Sequence, residues 1–335
     1  PFSWRNQIVI NLAEGTLFQP FFFSMDTVKK YGLTYLKGLA MGAADIVPGV
    51  SGGSIALIAG IYQELLDSIN AFTINNLLLL KSFRIKEFYL RVNGNFLLSL
   101  LTGIMTSIFT LSGVITYLMD EHPIPLWSFF SGLILISAFL ILKEIKKWNV
   151  GVVLAIAAGT AFAWWVTNLP PTTTPDDYWF TFVAGAIAIC AMILPGISGS
   201  FILLILGQYE RILQAVLDKD ILTLALFASG CLVGILSFSR VVSYLLRKFH
   251  TATIGLLSGF MLGSVNELWP WKLVTSWRTS SSGKEVPFLT ENILPSTFAE
   301  QVGELPQVEW AIGAFFFGIG LVIFIEWLAS KLQQG

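Results

Sequence analysis

The sequence contains few charged residues, few histidines and few cysteines. Only 12% of its 335 residues are charged and 55% are hydrophobic, whereas soluble domains average about 25% charged residues. The formal net charge of −1 provides no basic field for nucleic acid. The two histidines and two cysteines lack metal-ligand or CxxC spacing, so we expect no metal, no disulfide and no cofactor. The shortage of charge and the mean hydropathy of +0.73 predict an integral membrane protein.

Apolar stretches divide the chain into two kinds of segment. Six are long enough, or nearly so, to cross the hydrocarbon core of a bilayer, which takes about 20 residues. These are 95–119, 126–147, 149–169, 221–246, 252–268 and 308–330. Four shorter stretches come as two pairs, each joined at a Pro-Gly step: 33–47 with 51–69, and 178–194 with 197–216. Each pair predicts a re-entrant helical hairpin with its tip inside the membrane.

The two hairpins belong to an internal repeat. Pro48 aligns with Pro195 at an offset of 147 residues, and Gly103 aligns with Gly230 at an offset of 127. The first copy therefore carries an extra segment, around 72–93, with the character of an amphipathic surface segment. We predict a first repeat at 25–169 and a second at 170–335. Residues 1–24 are expected to be either sequence added to the natural protein ahead of Met25 or an interfacial segment.

Three spanning helices follow each hairpin, so the second copy must enter the membrane upside down. Loop charges fit this inversion, because basic loops favour the cytoplasmic side. Lysines and arginines at 29–30, 81–91 and 143–147 alternate with acidic loops at 120–125 and 266–307. The predicted fold class is all-α: a polytopic membrane protein with an inverted-topology repeat, typical of secondary transporters. Both termini are expected in the cytoplasm.

The two hairpin tips share the pattern Pro-Gly-x-Ser-Gly. Each opens a helix whose first N–H groups have no backbone partner, and the helix dipole adds about half a positive charge there. This pattern predicts an anion site that suits phosphate. The alternative is that small residues merely allow tight helix packing. The candidate phosphate-binding residues are Gly49, Ser51, Gly52, Gly53, Ser54, Gly196, Ser198, Gly199 and Ser200.

Charged residues inside the membrane are further candidates, because each costs roughly 2.5–3.5 kcal/mol or more at the bilayer centre. Arg240 could bind phosphate through its planar guanidinium or could snorkel to the cytoplasmic edge. Asp45 could carry a proton, or could bond nearby N–H groups at a helix end. Glu64 and Arg211 are equivalent positions that could pair with each other, contact a head group, or be exposed charges at the base of the hairpins. Other candidates for coupling or head-group contact are Lys37, Glu210, Tyr62 and Tyr209.

The run from Met41 to Ser54, together with Leu194 to Ser200, resembles a bacterial and archaeal membrane family assigned as polyprenyl-phosphate transporters. The resemblance covers about residues 30–330. It implies flipping of undecaprenyl phosphate or a related polyprenyl phosphate, from the outer to the inner leaflet of the bacterial cytoplasmic membrane. The expected partners are that lipid and the bilayer, and a homo-oligomer is left open. Inward movement of the phosphate against a negative interior costs about 2.3 kcal/mol per charge per 100 mV, so we expect proton coupling through Asp45 or Glu64.

Two other functions fit parts of the pattern. Facing Gly-Ser tips also suit an anion channel or small-anion secondary transporter, which would show a closed pore and electrical conductance. A lipid phosphatase would need a catalytic cluster, and neither histidine lies near the tips in the sequence. We therefore expect a transporter without catalytic residues.

Overall fold

The computed structural model describes residues 25–47, 49–172, 177–279 and 285–334; the segment 1–24 and Pro48 lie outside the described residues. The first half of the chain forms α1 (Met25–Ile46), α2 (Gly52–Ile58), α3 (Tyr62–Asn70), α4 (Ile74–Lys81), α5 (Ile85–Arg91), α6 (Gly94–Glu121), α7 (Pro123–Lys143) and α8 (Val150–Thr167). The second half forms α9 (Tyr178–Ile193), α10 (Gly199–Ile205), α11 (Tyr209–Leu217), α12 (Ile221–Lys248), α13 (His250–Ser264), β1 (Lys272–Thr279), β2 (Glu285–Asn292), α14 (Pro295–Gln301) and α15 (Val308–Gln334).

The chain is a multi-pass membrane protein. Within the described residues, five helices are long and apolar enough to span a bilayer, namely α6, α7, α8, α12 and α15. Five of the six predicted spans are thereby confirmed. The sixth, 252–268, is wrong in length, because α13 ends at Ser264 after 15 residues, short of the roughly 20 that a span needs.

The helix bounds recur along the chain at the offsets found in the sequence. Helices α2 and α3 match α10 and α11 at an offset of 147, and α6 matches α12 at 127. The packing recurs too: a Cβ added to Gly38 would lie 2.2 Å from the Leu100 carbonyl oxygen, and one on the equivalent Gly185 would lie 2.4 Å from that of Phe227. Glycine is therefore required at both sites because the helix backbones touch.

The last helices of the two copies exchange partners. Helix α7 packs on α15, and α8 packs on α13. A Cβ on Gly132 would lie 2.1 Å from the Phe315 carbonyl oxygen, and one on the equivalent Gly259 would lie 2.4 Å from that of Ile156. The two copies thus share one packed interior.

Helix α1 and α6 run parallel, so the chain between them turns back. Asn95 near the start of α6 donates to the Tyr31 hydroxyl near the start of α1 at 3.4 Å, and Gly42 packs further along against Ser107. The Lys37 ammonium donates to the Ala59 carbonyl oxygen at 2.7 Å, which places the end of α2 beside the middle of α1. Ser107 lies about 20 Å along α6, which is about 42 Å long. The turn that follows α1 therefore lies near the level of the middle of α6.

Two local features depart from the sequence expectations, and a third agrees with them. The stretches 51–69 and 197–216 are each broken, at Gly60 (φ +69°) and Gly207 (φ +64°), a backbone conformation that glycine tolerates best. Helices α10 and α11 consequently meet at 107°. The loop after α13 contains the antiparallel hairpin β1–β2, which the all-α prediction did not include. The extra segment around 72–93 forms the short helices α4 and α5, whose residues are mostly exposed, as expected of a surface segment.

Candidate functional site

The tips of the two helical hairpins contact each other. We call residues 49–54 the first tip and residues 194–200 the second tip. The Ser51 hydroxyl is shared between the carbonyl oxygens of Met192 and Leu194, each at 3.2 Å. The Ser54 hydroxyl accepts a hydrogen bond from the Gly196 N–H at 2.8 Å. The structure therefore joins the two predicted motifs at one centre.

This centre is enclosed by the packed interior. Ser51 and Ser54 are at most 1% exposed, and Val50 between the tip glycines is 1% exposed. Gly49 and Gly196 occupy equivalent positions with φ of +80° and +89°, where a side chain would be strained. The same unusual backbone in both copies positions the two serine-rich turns against each other.

The first tip already holds a carboxylate. The Gly52 N–H donates to Asp45 Oδ1 at 2.7 Å, and the Gly53 N–H donates to the Ser51 hydroxyl at 3.1 Å. Of the two roles considered for Asp45, a bond to nearby N–H groups is the one observed. The sequence pattern predicts that these amides are open, whereas in the structure an incoming anion must exchange with Asp45 to reach the Gly52 amide.

The second tip is arranged differently. The Ser198 and Ser200 hydroxyls bond each other at 2.8 Å, and the N-terminus of α10 has no side-chain cap among the described residues. Met192 stands where the first copy has Asp45, so the second tip lacks the carboxylate. In the described part of the chain, no group of three or more His, Cys, Asp or Glu could hold a metal ion. The combined centre thus offers hydroxyls, backbone amides and one exchangeable carboxylate.

Both tips lie within the segment that the sequence shares with a known family. A family model described as undecaprenyl phosphate translocase-like matches residues 41–286. The chain belongs to this family. It is 46% identical over 301 residues to the polyprenyl-phosphate transporter of Vibrio cholerae serotype O1, a match that covers 90% of this chain and 98% of the relative.

A second relative of this translocase-like chain comes from another bacterium. The polyprenyl-phosphate transporter of Staphylococcus aureus is 32% identical over 257 residues, which cover 71% of this chain and 86% of the relative. No solved structure matches the chain. Both relatives are named as transporters, in agreement with the expectation that this translocase-like protein is not an enzyme.

Two further candidate residues make hydrogen bonds that stabilise the hairpins. The Tyr62 hydroxyl donates to the Ile193 carbonyl oxygen at 3.0 Å, and the residue is 3% exposed, so it joins α3 to the end of α9, directly before the second tip. Lys37 donates to the Ala59 carbonyl oxygen at the end of α2, where a cation complements the helix dipole. Tyr209 is equivalent to Tyr62 but is 37% exposed. Among these three, Tyr62 alone reaches the centre.

Glu64 and Arg211 do not pair with each other. Glu64 accepts from Asn93 at 2.9 Å and lies 3.9 Å from the Lys30 ammonium. The Arg211 guanidinium lies 5.8 Å from the centre of the Tyr178 ring. It lines a cavity of about 580 Å³ together with the carboxylates of Glu210, Asp218 and Asp220. Hydrogen bonds from Thr223 lower the pKa of Asp220, so this cavity is acidic and is poorly suited to phosphate.

Arg240 lies apart from the tips. Its side chain is on an exposed face of α12, whereas its neighbour Ser239 is buried and donates to Asn70 Oδ1 at 2.9 Å. No hydrogen bond or ion pair connects Arg240 to either tip within the described residues. The sequence allows Arg240 either to bind phosphate or to snorkel to the membrane edge. Its exposed position favours the second alternative over a contact with the centre.

The structure adds residues that sequence reasoning missed. The Glu267 side chain packs on Gly49: a Cβ added there would lie 2.7 Å from Glu267 Cγ. Glu267 is ion-paired with Lys272 at 3.3 Å. Burial raises the pKa of Glu267, against the opposing effect of Lys272. In the sequence, Glu267 and Lys272 contribute only to the charge of their loop, because no motif connects them to the tips.

An apolar cavity lies on helix α13, which also packs against the second tip. It measures about 620 Å³ between α8 and α13, and its lining includes Ala157, Trp164, Leu262 and Gly263. Gly196 packs against the same helix α13, since a Cβ there would lie 2.8 Å from the Phe260 carbonyl oxygen and the Ser264 hydroxyl. The polar centre and the apolar cavity thus share one helix as a wall.

Proposed function

We propose that the chain translocates polyprenyl phosphate, specifically undecaprenyl phosphate or a close relative, with the phosphate passing between the two tips. The observation that carries this proposal is the pair of hydrogen-bonded contacts made by Ser51 and Ser54 with the second tip. Two glycine-rich turns meeting in a membrane protein form a small polar centre where apolar side chains would be expected. Membership of the translocase-like family supports a phosphate-bearing lipid as the ligand.

The phosphate-binding residues we propose are those of the two tips. Helix starts favour anions through their amides and dipole, and serine hydroxyls add donors. The Asp45 carboxylate on the Gly52 amide acts as a resident anion that the substrate phosphate displaces. We also propose that Arg240, on the exposed face of α12, contacts the lipid head group outside the centre.

The lipid tail requires an apolar path beside the polar one. The cavity of about 620 Å³ between α8 and α13 supports a route in which the tail stays in an apolar environment while the phosphate moves past the tips. Only the charged group then needs a polar centre, because burying an isolated charge in hydrocarbon is prohibitive.

The proposed architecture is an inverted repeat with re-entrant hairpins in the cytoplasmic membrane, and with both termini in the cytoplasm. Three observations support the repeat and its re-entrant hairpins: the recurring helix bounds, the parallel course of α1 and α6, and the end of α1 level with the middle of α6. The cytoplasmic side of the termini rests on the loop charges alone. The broken helices at the centre match the usual construction of secondary transporters.

We propose that undecaprenyl phosphate moves from the outer to the inner leaflet and that this transport is coupled to protons. Movement in this direction would return the lipid carrier for cell-wall synthesis. A phosphate monoester carries about −1.5 to −2 charges at pH 7, so co-transported protons would offset the membrane potential. Either Asp45 or Glu64 is the proposed proton carrier. In the Asp45→Asn, Glu64→Gln double variant, the response of transport to an imposed pH gradient should disappear; an unchanged response would contradict the coupling.

The translocation proposal is tested by reconstitution. Purified protein is placed in liposomes containing polyprenyl phosphate, and an impermeant phosphatase is added outside. Translocation exposes the whole lipid pool to the phosphatase, whereas without it only the outer-leaflet pool is hydrolysed. Protein-free liposomes and the sealed-vesicle leakage of a soluble dye serve as controls.

Two results would contradict the proposal. Hydrolysis limited to the outer pool in vesicles with folded protein would exclude lipid translocation under these conditions. Chloride conductance without lipid movement would instead favour the anion-channel alternative.

A further inference from the structure

An ion pair outside the predicted motifs lies directly against the first tip. Glu267 follows α13 and Lys272 begins β1, and their charged groups are 3.3 Å apart. The two side chains are only 20% and 18% exposed. Because Glu267 Cγ packs on Gly49, the Lys272 ammonium is held one side chain away from the tip backbone.

The segment that carries Glu267 and Lys272 is held in place by contacts with α7. Ser131 on α7 donates to the Leu268 carbonyl oxygen at 2.9 Å, and Leu268 is fully buried. The Lys272 ammonium lies 5.7 Å from the centre of the Trp127 ring, on the same helix. The position of the cation is therefore fixed by α7 rather than by the β-hairpin alone.

The pair exists because the second copy departs from the first. Helix α7 continues to Lys143, which would correspond to position 270 at the offset of 127, but α13 stops at Ser264. The positions equivalent to Glu267 and Lys272 in the first copy are Leu140 and Ile145. The early end of α13 thus brings one cation and one carboxylate to the tip from one repeat only.

Stability alone is a poor reason for such a pair. Desolvation of two largely buried charges roughly cancels their attraction, and apolar side chains of similar size often stabilise as well. A cation next to the tip has a clear use, however, because a phosphate monoester there needs charge compensation. In the present conformation both anion positions around the first tip are occupied by carboxylates: Asp45 on the Gly52 amide and Glu267 on Lys272.

We propose that Lys272 is a further head-group-binding residue of the tip site, and that Glu267 holds it in place until the phosphate of the lipid substrate replaces that carboxylate. This inference rests on the proposed function. The ligand class is a lipid phosphate monoester, and the exchange is one of ion partners without any covalent step.

The test measures binding of farnesyl phosphate and of farnesol to the purified full chain in detergent. Lys272→Gln should weaken farnesyl phosphate binding by about tenfold and leave farnesol binding unchanged. Glu267→Gln should strengthen farnesyl phosphate binding, since Lys272 then lacks a competing carboxylate. The double variant Glu267→Gln, Lys272→Gln keeps the shape of the pair without its charges and should bind farnesyl phosphate as weakly as Lys272→Gln.

Two controls separate this role from a structural one. Lys248→Gln removes an exposed lysine that also lies over an aromatic ring, 5.4 Å from the centre of the Tyr244 ring, and should leave both affinities unchanged. Lys272→Arg keeps the charge and should retain binding. Thermal unfolding of each variant confirms that it is folded; if Lys272→Gln does not fold, the comparison of Glu267→Gln with wild type decides.

The outcomes are distinguishable. Wild-type binding of farnesyl phosphate with the Lys272→Gln or the double variant overturns the inference, as does unchanged binding in Glu267→Gln. A wild-type chain that binds farnesyl phosphate no better than farnesol contradicts the proposed function itself.

Discussion

The two tips have nearly the same sequence and backbone but different surroundings. Asp45 and the Ser51 hydroxyl accept from the amides of the first tip, and Glu267 packs on it. At the second tip Ser198 and Ser200 bond each other, and the residue equivalent to Asp45 is Met192. An internal repeat can therefore give two tips the same backbone conformation, while single residue differences between the copies give the tips different hydrogen-bond partners. We interpret the first tip as the one whose anion is exchanged, and the second as its fixed partner.

The largest effect is expected where the first tip is made to resemble the second. A Cβ on Gly53 would lie 2.8 Å from the Ile193 carbonyl oxygen, whereas the equivalent Ser200 already carries one. Gly53→Ser should push the tips apart, lower the free energy of unfolding by about 1–3 kcal/mol and abolish lipid translocation. Chemical denaturation and the phosphatase assay measure the two effects. Gly113→Ser is the matched control, since nothing lies within 4 Å of its added Cβ; equal losses in both variants would refute the account.

The next largest effect concerns the contact that joins the tips. Ser54→Ala removes the acceptor of the buried Gly196 N–H, and an unsatisfied buried donor costs about 1–3 kcal/mol. The free energy of unfolding should fall by that amount, and translocation should slow. Ser229→Ala, at an exposed serine bonded within its own helix, should change stability by less than about 0.5 kcal/mol. A stability of Ser54→Ala equal to that control would show that the tips do not depend on this bond.

A smaller effect is expected from removing the resident carboxylate. Asp45→Ala takes away the acceptor of the Gly52 N–H, which resembles the loss of a helix cap and costs about 1 kcal/mol. Because the amide is then open to phosphate, farnesyl phosphate should raise the unfolding temperature of this variant more than that of wild type. Asp45→Asn keeps an acceptor and should lie between the two. The idea of exchange fails if the ligand stabilises Asp45→Ala less than wild type.

The smallest effect belongs to the arginine outside the centre. Arg240→Gln should change the free energy of unfolding by less than about 0.5 kcal/mol, as expected for an exposed side chain, and should reduce translocation only modestly. Arg247→Gln, which loses an ion pair with Asp67, provides the comparison at the same end of α12. Complete loss of translocation in Arg240→Gln with normal folding would move the phosphate site away from the tips.

Sequence reasoning located the parts that obey local rules. Apolar length predicted five of the spanning helices, and the Pro-Gly-x-Ser-Gly turns predicted where the hairpins bend. It treated 51–69 and 197–216 as unbroken because an isolated glycine, such as Gly60, does not by itself end a helix. The positive φ at that glycine belongs to a local helix-ending turn, in which the Ile61 N–H donates to the Ala56 carbonyl oxygen at 3.0 Å, as is common where glycine follows the last turn of a helix.

Other features arise from contacts between distant segments. The early end of α13 and the burial of Glu267 depend on the packing of Leu268 against α7, which no periodicity encodes. The sequence allows two roles for Asp45 and does not select the bond to the Gly52 amide, because hydrogen-bond partners at a turn depend on its exact geometry. The sequence thus predicts which motifs form the site, whereas the groups that bind the tip amides depend on the three-dimensional fold.

The most direct test of the tip-to-tip site is an experimental structure of the chain in a lipid nanodisc with polyprenyl phosphate. The account predicts phosphate density within hydrogen-bonding distance of both Ser51 and Ser198, with the Asp45 carboxylate displaced from the Gly52 amide. Phosphate density elsewhere, with the Asp45 bond to Gly52 intact, would contradict it.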